Sequence, residues 1–445
     1  MRAVETAPAA FSPVGSPSPV DVLEKLDTWA AVGHPAPFPY TELLQHLRSV
    51  GKHFLAAPLL DRLAAIRDGL PGAPTTGSTA VQPAVPLSRT DDVPFLRAFL
   101  DVVLDKHDDR YDYTSYTALR LLAHPVPGDW HAALRSRDEL LLLLLADLVR
   151  FEQGALTDTP ADPHDMPPSP ELVGKRARLA VRVMEAAALR VLPAGTVDPA
   201  AVVAVPGRTP AGFLAAEILR AATAEQELML SASVQPVYVL HDEYLFLRTL
   251  QSFETTFGFM STALTTAVRR MDAGRALEAA DLVGTVADVL RESLPLFSLL
   301  ATMRPQAFQT FREFTEGASA IQSAGYKAFE SLCSTPALAR LDSSAYTSVP
   351  GIRARVLDGQ ATVQGTWHDL IAGRRLDPAG DAALRAAADR LESVHQRWKQ
   401  THYRMAVRMI GERSGTGYTQ GVPYLSAVLD NRLFPAPHRQ SALVG

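Results

Sequence analysis

The stretch RWKQTHYRMAVRMIGERSGTGYTQGVPYL (residues 397–425) begins as a helix and ends as a loop. His402, Met405, Ala406 and Met409 recur at steps of three and four, so they share one face of a helical period. The run SGTGYTQG (414–421) then stops the pattern with glycine. The same period recurs along the chain. It is present in VDVLEKLDTWAAV (20–32), in residues 40–70 and in VPFLRAFLDVVLDKH (93–107). It continues through DELLLLLLADLVRFEQGAL (138–156) and residues 171–192. Further on it predicts helices over 241–272, 275–303, 305–314, 320–332 and 379–411. Alternating runs of Val, Ile and Thr are nearly absent, and AAVVAVPG (200–207) is the best strand candidate. The expected fold is therefore all-α, a helical bundle with a less regular N-terminal part.

RDELLLLLLADLVRFE (137–152) and HDEYLFLRTLQSFET (241–255) both read as an acidic pair opening an apolar helix. Acidic residues suit a helix start, so shared helix grammar explains the echo better than duplication does.

Composition bounds the rest. A chain of 445 residues with 47% hydrophobic residues can bury one large core or two smaller ones. Its formal net charge of −5 supplies no basic excess for nucleic acid or a membrane surface. Cys333 is the only cysteine, which excludes an intramolecular disulfide framework and a multi-cysteine metal site. The opening MRAVETAPAAFSPVGSPSP lacks a signal-peptide pattern, and the leucine run Leu140–Leu145 is too short to span a bilayer. A soluble, cytoplasmic protein is expected. Pro- and Gly-rich linkers are expected at 70–92, 153–170 and 193–212. The division expected is a disordered 1–20, a helical region of unassigned role over 21–235, a functional domain over 236–436 and a tail over 437–445.

Four places can carry chemistry. A single histidine on an apolar helix face, such as His402, is most often a hydrogen-bonded core residue. The alternative is an axial ligand to heme, which needs one neutral imidazole nitrogen in an apolar slot. No second His, Cys or carboxylate stands three or four residues away, which disfavours a zinc site. In SGTGYTQG, Gly415 and Gly417 bracket Thr416; such a run is a helix cap and turn, or a backbone that comes close to a ligand. Arg312 stands among Phe308, Phe311 and Phe314, placed either to fork onto a carboxylate or to snorkel toward solvent. GASAIQS (317–323) gives a small-residue loop into which a planar group could slide. In HDEYLFLRTLQSFE (241–254), Phe246, Leu250 and Phe253 share a face on which nothing is ionisable, as in plain core packing.

Together these stretches resemble tryptophan 2,3-dioxygenase and its relatives, the histidine-ligated heme enzymes of aromatic amino acids. The family's HDE-x-LF matches His241–Phe246. Its FRE and ASGFQS match Phe311–Glu313 and Ala318–Ser323. Its W-x-x-x-H, RMIG, GTG and YL match Trp398, His402, Arg408–Gly411, Gly415–Gly417 and Tyr424–Leu425, and LDNRLFP resembles the family's ending. The likeness covers roughly 241–436. YDYTSYTALRLL (111–122) is loosely similar to the family's early tyrosine-rich motif and carries no weight here.

The resemblance implies heme b with His402 as its iron ligand, and Ser319, Gly415 and Gly417 beside the cofactor. It implies that Arg312 binds a substrate carboxylate, that Thr416 lies near the ammonium, and that Phe246 packs on the aromatic ring. Leu250 stands where the family has a distal histidine, and Phe308 stands where it has a tyrosine. Leucine can neither accept from an indole N–H nor move a proton. The expected activity is a heme-dependent oxygenase using O2 or H2O2 on tryptophan or a related aromatic L-amino acid, in specialised metabolism, as a homo-oligomer. The alternatives are a tryptophan 2,3-dioxygenase forming N-formylkynurenine, a tyrosine-type ring hydroxylase, and a non-catalytic heme or amino-acid binder.

Overall fold

The computed structural model describes residues 16–32, 37–71, 93–122, 129–156, 166–193, 210–315, 317–411 and 422–435. Among them the fold is all-α, with no strand. The first helices are α1 (Pro19–Val32), α2 (Tyr40–Val50), α3 (Ala57–Gly69), α4 (Val93–Val103) and α5 (Tyr113–Tyr116). Next come α6 (Trp130–Gly154), α7 (Pro170–Val191), α8 (Pro210–Arg220) and α9 (Ala224–Ala232). The long α10 (His241–Asp272) leads to α11 (Ala276–Ser293), α12 (Pro295–Leu300), α13 (Pro305–Phe314) and α14 (Ala324–Cys333). Short helices α15 (Leu338–Leu341), α16 (Ser344–Thr347), α17 (Pro350–Leu357) and α18 (Val363–Ala372) precede α19 (Pro378–Ile410) and α20 (Val422–Ala427).

Several expected runs break where the chemistry requires it. The 40–70 run is cut at Gly51, whose φ of 86° suits glycine and whose missing Cβ would meet the Val237 carbonyl at 2.7 Å. The 275–303 run is cut at Pro295, which opens α12 because it has no N–H to donate to the preceding turn. The 320–332 run is a 3-10 turn and then α14, with the Ser323 hydroxyl accepting from Tyr326 N–H at 3.0 Å. The 137–152 stretch does not open a helix. Asp129 caps α6, and Asp138 sits mid-helix, fully buried, paired with Arg137 at 2.7 Å and Arg190 at 2.6 Å. The strand candidate 200–207 lies outside the described residues.

Helix α10 is buried on nearly every side. It packs on α6, α11, α12, α13, α14 and α18, while α19 lies along α11. This main core runs across position 235, since side chains of α6 and α7 pack in it beside those of α10. Helices α1 to α4 enclose a separate apolar core. No helix among the described residues is long and apolar enough to cross a membrane.

The acidic start of α10 anchors both the entry to α13 and the segment leading into α10 itself. The Asp242 carboxylate accepts from buried Arg176 at 2.7 Å and from the Arg304 backbone N–H at 2.8 Å. That fixes the residue from which α13 departs. Glu243 accepts from the N–H groups of Val237 (2.8 Å) and Tyr238 (3.0 Å) and from the Tyr116 hydroxyl (3.3 Å). A buried charge such as that of Asp242 persists in a core only when paired and hydrogen-bonded in this way, whereas Glu243, which forms no ion pair among the described residues, is pushed up by burial to about 8.

Candidate active site

A cavity of about 260 Å³ opens between α10, α13, α14 and α19, closed by the 317–323 turn, the α5 tyrosines and the C-terminal segment. Phe246, Leu250, Phe308, Arg312, Ser319 and His402 all line it. Residues from four separate elements thus converge on one space. Thr416, Gly415 and Gly417 lie outside the described residues.

Helix α10 supplies an aromatic corner. Phe246 meets Phe308 edge-on at 5.6 Å between ring centroids and Phe311 at 5.5 Å. Such tilted pairs are the favoured packing of aromatic quadrupoles. Leu250 comes one turn on, and its side chain leaves that part of the wall without a hydrogen-bonding group. The face is not free of ionisable groups, however. Glu254, one turn beyond Leu250, also lines the cavity. It accepts from the Tyr113 hydroxyl at 3.0 Å. Burial pushes its carboxyl up to about 7, partly offset by hydrogen bonds from Ser323, Tyr113 and the Gly325 N–H. Gly325 allows this approach, because a Cβ there would stand 2.7 Å from Glu254 Oε2.

The 317–323 turn is braced by one side-chain amide. Gln322 Oε1 accepts from Ser319 N–H at 3.0 Å and from Tyr113 N–H at 3.1 Å. Ser319 and the start of α5 are thereby fixed against each other. Tyr113 and Tyr116 both reach the cavity wall. Their tyrosine-rich motif is too loose in the sequence alone to mark them.

His402 comes from α19. Its ring stacks at 18° on Phe297 (5.6 Å) and lies 5.4 Å from Trp398. Met405 and Met409 continue the same wall. Burial alone lowers the imidazole to about 4, so it is neutral near pH 7. Its ring nitrogens make no hydrogen bond among the described residues. The other α19 histidine differs: His395 Nε2 is bonded to the Tyr326 hydroxyl at 2.8 Å, in a fully buried position. Glu313 and Arg408 are exposed. Lys399 donates to the carbonyls of Val428 (3.2 Å), Leu429 (2.7 Å) and Asn431, while Glu392 accepts from Leu433 and Phe434 N–H. These bonds hold the C-terminal segment against α19, where it completes the wall.

Among the described residues no group of three His, Cys, Asp or Glu side chains could hold a bare metal ion, and Cys333 is a buried free thiol. The arrangement offers one imidazole, apolar walls, an arginine and a turn of small residues.

No family model matches the chain. It is similar to the tryptophan 2,3-dioxygenase of Pseudomonas aeruginosa, with 26% identity over 228 residues, 44% of this chain and 79% of the relative. The enzyme of that name from Anaeromyxobacter dehalogenans is 27% identical over 240 residues, 46% of this chain and 89% of its own. That of Bacillus thuringiensis is 25% identical over 232 residues, 44% of this chain and 82% of its own. The chain is thus similar, over a little under half its length, to proteins named tryptophan 2,3-dioxygenase, and it spans more than three-quarters of theirs.

Proposed function

We propose that the chain is a heme-dependent oxygenase acting on the aromatic ring of tryptophan or a related aromatic L-amino acid. The observation that carries this reading is His402, a neutral imidazole in the cavity wall with no hydrogen-bond partner among the described residues. Most core histidines satisfy at least one ring nitrogen. An imidazole left over beside an apolar cavity is suited to hold a heme iron. The small residues Ala318, Ser319 and Ala320 in the facing turn leave room for a planar group. The names of the relatives point the same way.

Heme held by His402 supplies the activation of O2 or peroxide; the rest is the work of this chain's residues. Arg312 forks onto the substrate carboxylate and sets its orientation. Phe246 and Phe308 hold the ring in the aromatic corner. Ser319 borders the cofactor, and the C-terminal segment pinned by Lys399 keeps water out. By the family resemblance, Thr416 takes the substrate ammonium, and Gly415 and Gly417 border the cofactor. The catalytic unit is residues 236–436, to which the preceding region contributes Tyr113 and Tyr116.

Leu250 argues for a specialised role. It leaves an indole N–H without a partner there, at a cost of about 1–3 kcal/mol. The pocket therefore favours a substituted ring over plain tryptophan breakdown, and we read the reaction as insertion of one oxygen atom. The relatives' name favours two. Incubating the hemin-loaded chain with tryptophan and tyrosine analogues, with O2 and separately with peroxide, decides by product mass. One added oxygen supports the hydroxylase reading and two support a dioxygenase. Substrate binding without turnover in either oxidant overturns both.

A further inference from the structure

The wall of the cavity formed by α14 and α19 carries more positive charge than it neutralises. Lys327 lines the cavity and is 3% exposed. Its ammonium lies 4.9 Å from the Tyr326 ring centroid and 5.7 Å from that of Tyr346. Its carboxylate neighbour, Glu330, is 3.7 Å away. That carboxylate is already engaged. Both of its oxygens accept from Arg340 Nη2, at 2.5 and 2.8 Å, and Oε2 also accepts from the Tyr346 hydroxyl at 3.1 Å. Buried Lys327 and half-buried Arg340 thus share one carboxylate. Burial in this setting lowers the Lys327 ammonium to about 8.

A second donor stands on the same stretch of wall. Trp398 is 8% exposed, and its indole N–H has no hydrogen-bond partner among the described residues. Its ring stacks on Tyr326 at 5.5 Å, so Lys327 and Trp398 both adjoin the Tyr326 ring. A buried ammonium short of a counter-charge, beside an unused N–H, on the wall of an apolar cavity, is complementary to an anion.

We propose that Lys327, with the Trp398 N–H as a second donor, forms a carboxylate seat separate from Arg312 and that it takes a carboxylate of the bound cofactor. The proposal rests on the heme reading above. An amino-acid substrate has one α-carboxylate, which Arg312 takes. A heme carries two carboxylates on one edge, and in this wall Arg340 is held by Glu330 and Lys399 by three backbone carbonyls, which leaves Lys327.

The test is a spectrophotometric titration of the full chain with hemin and with hemin dimethyl ester, for wild type, Lys327→Met and Lys327→Arg. Wild type binds hemin tighter than the ester by about tenfold or more, the size expected of a charge-assisted bond. Lys327→Met brings the ratio near one, and Lys327→Arg keeps most of it. A wild-type ratio near one, or a ratio unchanged in Lys327→Met, overturns the seat while leaving the heme reading intact. If neither porphyrin binds wild type, the heme reading fails and the seat falls with it. A second arm separates the source of the carboxylate. Hemin-loaded protein is titrated with L-tryptophan and its methyl ester, and Lys327→Met leaves that ratio unchanged. Its collapse in Lys327→Met would give the seat to the substrate and overturn the assignment to the cofactor.

Discussion

The Tyr113 hydroxyl and the Glu254 carboxylate, 141 residues apart in the chain, meet at 3.0 Å in the wall of the cavity. This bond ties the α5 segment to the centre of α10. A parallel bond, Tyr116 to Glu243 at 3.3 Å, ties it again near the start of α10. Both carboxyls are raised by burial, Glu254 to about 7 and Glu243 to about 8.

That burial sets a pH dependence of stability. The folded pKa of Glu254 lies above its ordinary value of 4.5. Its contribution is therefore fully present below about pH 4.5 and is lost as pH rises through about 7. Glu243 acts in the same direction up to about pH 8. Glu254→Gln removes one of the two. Its melting temperature should fall less than that of wild type between pH 5 and 8, by a difference on the order of 2 kcal/mol in stability. Thermal melts of both proteins across that range check this; parallel curves contradict it.

Gly325→Ala should destabilise the protein. The added Cβ would stand 2.7 Å from Glu254 Oε2 and 3.2 Å from Phe257 Cβ. Overpacking of this kind costs about 1–3 kcal/mol. Denaturant unfolding measures it, and an unchanged midpoint would mean that α14 yields freely.

Asp242→Asn should be more severe. Arg176 is fully buried and shares its charge between Glu152 at 2.9 Å and Asp242 at 2.7 Å. Removing one carboxylate leaves the pair undercompensated, at a cost of about 3–5 kcal/mol. It also frees Arg304 and hence the start of α13, so substrate affinity should fall along with stability. Denaturant unfolding and a substrate titration of the hemin-loaded variant check the two effects.

Leu250→His should change what the pocket distinguishes. Wild type has no partner for a ring N–H at this position, so 1-methyl-L-tryptophan, which has no such N–H to leave unpaired, should bind tighter than L-tryptophan by about fivefold or more. The histidine should favour L-tryptophan by about fivefold or more, the value of one hydrogen bond. Spectral titration of the hemin-loaded proteins reads both ratios. A wild type that already rejects the methylated ring would show that another group meets the N–H.

Much of this fold is legible in the sequence. The 241–272 period ends where α10 ends, and Pro305 opens α13 as its type requires. The breaks at Gly51 and Pro295 are single-residue effects inside otherwise continuous periods, so periodicity passes over them. The four short helices α15 to α18 have too few turns to show a period at all. At the site, His402, Arg312 and Phe246 stand out because each breaks or completes a local pattern. Glu254, Tyr113 and Lys327 do not. Their roles depend on partners from distant elements, on burial and on counting charges in three dimensions, none of which spacing reveals.

The central claim is that His402 holds a heme. The most direct measurement is the absorption spectrum of the chain expressed with added heme precursor, wild type beside His402→Ala. The account predicts a Soret band in wild type that is lost in the variant, with both proteins equally helical. A wild type without a Soret band even after hemin is added, or a variant that keeps the band, contradicts it.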